Sequence, residues 1–169
     1  MKKFILIVLI TGCFLPFAKS QKLVTIKAGA QSTANQGRTL ATARNHHFVI
    51  DAPPPLGGPN EALNPIEMLM SSLASCGVLV AEKVAAEKGI SLIKAQAMAQ
   101  GRLDPRGVKG EPINPRIQSF EVELNLAGVI DSEAKMLVES IKTRCPIFTT
   151  LERAAPIEIK LILDNSKDK

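Results

Sequence analysis

The sequence predicts an α+β fold. Short stretches of strict apolar/polar alternation read as strands, and Ile117 to Leu126 is the clearest of them. Two long helical segments carry their own start and stop residues. The order is strand, strand, strand, helix, strand, strand, helix, short helix, strand, which lacks the regular alternation of a doubly wound sheet. No internal repeat and no second domain is visible.

The elements follow in order. Residues 22–28, Lys-Leu-Val-Thr-Ile-Lys-Ala, alternate as a half-buried strand, and a Ser/Asn/Gln/Gly turn follows at 31–37. Two more short strands are predicted at Thr39 to Arg44 and His46 to Asp51. Ala52 to Asn60 holds four prolines and two glycines, which excludes a helix or central strand and predicts a stiff loop. Asn64 can cap a helix, Pro65 suits its first turn, and Glu67 can reach back as in a capping box. That helix should run to Lys88 and stop at Gly89. Its first half is apolar on nearly every side, so it should be covered on nearly every side, most simply by a second subunit. Leu92 to Leu103 and Ile117 to Leu126 are strands flanking a loop with three prolines. Asp131 or Ser132 should cap a helix through Lys142, with Met136, Leu137, Val138 and Ile141 as its apolar side. Pro146 opens a short helix over Ile147 to Arg153, and Ile157 to Leu163 closes the sheet.

Met1-Lys2-Lys3, the apolar run from Phe4 and the small residues before Gln21 read as a cleavable export signal over residues 1–20. The run is too short for a comfortable membrane span and contains Pro16. Ile10-Thr11-Gly12-Cys13 also looks like a lipobox, so acylation of Cys13 is the alternative to simple cleavage. Removing residues 1–20 from the 169 leaves 149, one domain with a real core. It also removes Lys2, Lys3 and Lys19 and no acid, so the net charge falls from +5 to +2. Such a charge, without tryptophan or tyrosine, gives little support for nucleic-acid binding. An exported, periplasmic chain meets an oxidising compartment, where a close cysteine pair tends to become a disulfide.

The mature chain then keeps two cysteines. Cys76 lies in the apolar helix, and a functional thiolate there needs a cation or aligned backbone dipoles. Its helical neighbours Ser72, Leu73, Leu79 and Val80 supply no charge, leaving Arg38, Arg44 and Arg144 as candidates from elsewhere. On its own, Cys76 reads as a small core residue. Cys145 precedes Pro146 at a helix start, where unpaired amides favour an anion, although a cysteine can also cap without chemistry. His46 and His47 are adjacent on a strand and point to opposite faces, so with Cys145 they are too few for zinc and no metal is expected. Gly57-Gly58 lacks a following Lys-Ser/Thr and reads as a structural turn, not a phosphate cradle.

From Phe48 to Ile159 the chain resembles the OsmC/Ohr family of bacterial cysteine-based peroxidases and their relatives. The matching stretches are Val49 to Gly58, Asn64-Pro65 with Glu67 and Cys76, Leu103-Asp104 with Arg106-Gly107, and Cys145-Pro146 with Thr150-Leu151. The resemblance implies an intertwined homodimer in which antiparallel strands wrap long central helices and both cysteines lie near the subunit interface. It implies that Cys76 attacks an organic hydroperoxide, becomes a sulfenic acid and condenses with Cys145, and that an external dithiol reduces the disulfide, with no cofactor. An early-strand arginine and a glutamate near the helix start serve family peroxidases. Arg44 is the best match for the first, with Arg38 as the alternative, and Glu67 is the candidate for the second. Two departures stand out. The family glutamate follows Asn-Pro directly, but here that place is Ile66, and Glu67 is rotated by roughly 100°. Glu67 also lies about 13 Å before Cys76 along the helix, on the opposite face. The second departure is export, since family peroxidases are mostly cytoplasmic and draw on intracellular dithiols. A rival reading keeps the fold as a dimer that binds an apolar small molecule, with Cys76 and Cys145 as a structural disulfide.

Overall fold

The computed structural model describes residues 22–164. The export signal and the lipidation candidate Cys13 lie outside the described residues.

The chain forms β1 (Gly29–Ser32), β2 (Arg38–Ala43), β3 (His46–Asp51), α1 (Pro65–Lys88), β4 (Lys94–Arg102), the single-turn α2 (Pro105–Val108), β5 (Ser119–Ala127), α3 (Asp131–Arg144), α4 (Pro146–Leu151) and β6 (Ile157–Asp164). The strands make two sheets of three, β1-β2-β3 and β4-β5-β6. The first is antiparallel throughout. In the second, β4 and β5 are antiparallel while β5 and β6 run parallel. β6 is thus the strand that departs from the antiparallel pairing of the others among the described residues. The chain crosses through α3 and α4 after β5, and such a crossover lets the next strand enter in the same direction.

Local chemistry sets the boundaries of α1 as the sequence predicts. Asn64 Oδ1 accepts from the amides of Ile66 (2.9 Å) and Glu67 (3.0 Å), and Glu67 Oε2 accepts from the Asn64 amide (2.8 Å). Gly89, at φ 67°, closes the other end in the left-handed conformation that glycine adopts without strain. One stripe of α1, Leu73, Gly77, Ala81, Val84 and Ala85, is buried. It packs on β4, α3 and α4. The facing side chains of β4 are Ala95, Ala97 and Ala99, followed by Gly101, where an added Cβ would stand 3.1 Å from Met70 Sδ. Small residues thus let the helix lie close on the sheet. Phe120, Val122, Leu124 and Leu126 of β5 complete the core with Leu137 and Ile141 of α3. Each fully buried leucine contributes about 1.5–3 kcal/mol of apolar burial. By length and composition α1 could cross a membrane, but its buried stripe is a core face. On its other sides Leu79 is 65% exposed and Ile66 is 37% exposed.

Several boundaries differ from the sequence reading. Residues 22–28 are not in a strand, and β1 begins at Gly29. Register explains this: Gly29 pairs with Thr42, so residues earlier than Ala28 overshoot the end of β2 at the Arg44–Asn45 turn. Leu23, Val24 and Ile26 are consequently 87%, 81% and 92% exposed. The N-cap of α3 is Ile130, whose amide is satisfied by Glu133 Oε2 at 3.0 Å, and Asp131 instead pairs with Lys135. The proline-rich loop contains one 3₁₀ turn at Pro54–Leu56, because proline suits a first turn whose amides need no partner. The next loop holds α2, capped by Asp104 Oδ1 on the Arg106 amide. α4 ends at Leu151, two residues short of the expected Arg153.

The first sheet joins the helical body through the end of β3. Asp51 donates its amide to the Leu63 carbonyl, one residue before the cap of α1. The following loop folds back on the turn before β2, where Ala52 N bonds to Gly37 O at 2.7 Å. The backbones touch there: a Cβ on Gly58 would stand 1.9 Å from Ala52 O. Gly57-Gly58 is thereby a packing turn.

Candidate functional site

The site is built where α1 crosses the junction of α3 and α4. Gly77 lies against Ile141 of α3. Cys76 is the residue beside Gly77, and Cys145 stands one turn after Ile141, whose carbonyl accepts the Cys145 amide at 3.0 Å. The two thiols are consequently neighbours, close enough for one to influence the other, and both are free.

Cys145 ends α3 and caps α4. Its backbone is extended there (φ −80°, ψ 112°), and its Sγ accepts from the Phe148 amide at 3.3 Å. Pro146 follows at the first helical position, where its missing amide costs nothing. The thiol is fully buried, and burial, with the Cys76 thiol beside it, pushes its pKa up to about 11. The Phe148 and Ile147 amides act in the opposite sense without overcoming burial. Cys76 is only partly buried. An incoming reagent therefore reaches Cys76 before Cys145.

The three candidate cations are placed as follows. Arg144 forks onto Glu87, Nη1 to Oε2 at 2.6 Å and Nη2 to Oε1 at 3.0 Å, near the far end of α1. Arg38 forks onto Asp51 at 2.8 Å through both Nε and Nη2, and Nη2 also reaches Glu61 at 2.6 Å. Arg44 sits in the β2–β3 turn at φ 55°, and among the described residues its side chain has no hydrogen-bond partner. Glu67 is held in the capping box of α1. His46 and His47 stand on opposite faces of β3, across from Ala43 and Thr42.

Sequence reasoning missed Asp51 and Glu87. Asp51 is buried and both of its oxygens are engaged, since Oδ2 also accepts from the amides of Glu61 (2.9 Å) and Ala62 (3.1 Å). The Arg38 guanidinium holds its carboxyl down at about 2. The turn at Arg44–Asn45 could have revealed the pair, because that register sets Arg38 opposite Asp51. Glu87 is held down to about 2 by Arg144 and then Lys83; Lys83 is a local i,i+4 neighbour, but the main partner, Arg144, is remote in sequence and left no signal. A cavity of about 330 Å³ opens beside Arg38, lined by Ser32, Gln36, Thr39, Ile50 and Pro65 among others; neither cysteine lines it.

This is an α+β protein with two sheets, one long central helix and a facing pair of thiols. The chain belongs to the OsmC-like protein family, whose profile matches residues 58–160. Comparison with curated proteins finds no match. Solved structures share the fold. The OsmC-like protein of Mycoplasma pneumoniae superposes with a TM-score of 0.71 at 18% identity, over 83% of this chain and 97% of that one. An organic hydroperoxide resistance protein of Elizabethkingia anophelis gives 0.65 at 23% identity, over 87% and 100%. The organic hydroperoxide resistance protein OsmC of Legionella pneumophila gives 0.63 at 21%, over 85% and 99%.

Proposed function

We propose that the protein is a thiol-dependent peroxidase that reduces organic hydroperoxides. One observation carries this reading: a partly exposed thiol with a fully buried one as its neighbour, the two unlinked. In the first step the Cys76 thiolate attacks the outer peroxide oxygen, the O–O bond breaks, and the alkoxide leaves with a proton as the alcohol. Cys76 is then a sulfenic acid. In the second step Cys145 gives up its proton, its thiolate attacks Cys76 sulfur, the S–O bond breaks, and the departing hydroxide takes up a proton to leave as water. An external dithiol returns two electrons and two protons by thiol–disulfide exchange. The names of the structural relatives as hydroperoxide-resistance proteins support the substrate class. The aliphatic surface of α1 supports a preference for apolar hydroperoxides.

Two further parts of the proposal concern context. A second copy covers the apolar residues α1 leaves open, Leu79 and Ile66 among them. Residues 1–20 direct export, so the reductant is a periplasmic dithiol; acylation at Cys13 would instead anchor the chain to a membrane.

A second reading is favoured by a different observation. Arg38 and Arg144 are both engaged by carboxylates, and Glu67 is engaged by the Asn64 amide. No step in the proposed cycle is assigned to them or to Arg44. Without an activating cation the protein would be a dimer that binds an apolar small molecule, with the cysteines as a structural disulfide.

The deciding experiment reduces the protein with dithiothreitol, removes the reductant, and titrates with cumene hydroperoxide while counting thiols and measuring intact mass. Rapid loss of two thiols with one disulfide formed, abolished by Cys76→Ser, supports the peroxidase. Cys145→Ser should still be oxidised once and then fail to turn over. Thiols that survive equimolar peroxide for many minutes would transfer the conclusion to the binding reading.

A further inference from the structure

We propose that Glu87 is a positioning residue for the Cys76–Cys145 couple, acting through Arg144. The inference rests on the reading that these two thiols cycle between dithiol and disulfide. Glu87 follows Cys76 by eleven residues on the same helix. On an ideal α-helix that is roughly 16 Å along the axis and roughly 20° around it, so both side chains share one face of α1. Arg144 and Cys145 are consecutive. Arg144 reaches along that face toward the C-terminal end of α1, and Cys145 meets Cys76 nearer its middle. Two neighbouring residues thus grip the same helix at two points, three turns apart.

The grip matters because the backbone leaves helical geometry at Cys145 before α4 begins. The direction of the thiol therefore depends on how this junction is seated on α1. On one side it is seated by apolar packing around Ile141 and Phe148. On the other it is seated by the guanidinium–carboxylate fork, whose two parallel bonds fix orientation as well as distance. Lys83 holds the same carboxylate from one turn earlier on α1, at 3.0 Å. Loss of the fork would let the junction turn, lowering the effective concentration of one thiol at the other. Closure of the disulfide would slow and its equilibrium stability would fall, while the attack of Cys76 on peroxide would be untouched.

The test equilibrates the full chain with reduced and oxidised dithiothreitol, which exchanges two electrons and two protons with the protein dithiol, and counts thiols. Glu87→Gln and Arg144→Gln should each lower the disulfide equilibrium constant about tenfold, a potential about 30 mV less negative. The double variant should go no further than either single one, and Glu87→Asp should recover part of the loss. Lys83→Gln alters the local charge but leaves the fork, and should leave the constant unchanged. Raising the salt concentration should shrink the wild-type advantage, because both partners are part-exposed. If both Glu87→Gln and Arg144→Gln stay within twofold of wild type, if Lys83→Gln shifts as far as Glu87→Gln, or if no oxidant links the wild-type thiols, the positioning role is wrong. Failure of cumene hydroperoxide to oxidise a wild-type chain that equilibrates normally with dithiothreitol would remove the peroxidase reading alone; the potential shifts would still decide the role of Glu87.

Discussion

Gly77 of α1 faces Ile141 of α3 where the two cysteine-bearing segments cross: a methyl group added to Gly77 would stand 3.9 Å from Ile141 Cγ2. That is ordinary van der Waals contact, so Gly77→Ala should fit. It should stabilise the protein by about 0.5–1 kcal/mol through helix propensity and leave disulfide closure unchanged. Gly77→Val adds branches for which the crossing has no room, and should cost about 1–3 kcal/mol while pushing α3 away. Urea unfolding of both variants, beside the rate of thiol loss after one equivalent of peroxide, checks the pair of outcomes.

The buried Cys145 thiol gives the second step a pH signature. Only the thiolate attacks, and burial holds the Cys145 pKa above the usual thiol range, so closure should accelerate as the pH rises above neutrality. Stability moves the other way. The unfolded thiol ionises near its ordinary value of 9.0 while the folded one keeps its proton, so the reduced protein is unaffected below pH 9 and loses stability as pH rises from 9 to 11. Quenched-flow alkylation reads the first trend and denaturant titration the second; Cys145→Ser should abolish both.

Asp51 predicts an acid limit. Its carboxyl is held at about 2 in the folded protein against an ordinary 3.8, so the carboxylate stabilises the fold above pH 4 and this support is lost as pH falls toward 2. Asp51→Asn removes one partner of a buried pair and leaves Arg38 with Glu61 alone. The thermal midpoint at pH 7 should drop by roughly 10 °C, and the steep part of the acid transition should flatten. A midpoint at pH 7 equal to that of the wild type would show that the pin between β3 and the approach to α1 is dispensable.

Leu79 reports on the proposed second copy. It is 65% exposed in the single chain, on the helix that carries the core stripe. A charge there, Leu79→Asp, should shift sedimentation from dimer to monomer with little loss of helical signal. A variant that sediments like the wild type would remove α1 from the interface.

The sequence announced α1 almost to the residue, because Asn64, Pro65, Glu67 and Gly89 act through local hydrogen bonds that need no tertiary partner. The alternation of β5 was equally plain, since one of its faces meets the core and the other does not. Where the reading failed, pairing decided the outcome. Residues 22–28 alternate well, yet the length of β2 and its turn leave them no strand to join. The direction of β6 depends on a crossover that no periodicity records. At the site, the facing of Cys76 and Cys145 came from family resemblance rather than spacing. The carboxylates that engage Arg38 and Arg144 became visible only with the register of β2 on β3 and the crossing of α1 with α3.

Because β6 runs parallel to β5, the chain must fold α3 and α4 back across the helical face before its last strand can dock. Cys145 lies on that return path, so during synthesis both thiols are made before the sheet can be finished. An oxidant acting on the growing chain would link a protein whose final strand is still free. The crosslink would then have settled much of the loop-closure entropy that β6 otherwise has to overcome, and oxidised chains should refold from denaturant faster than reduced ones.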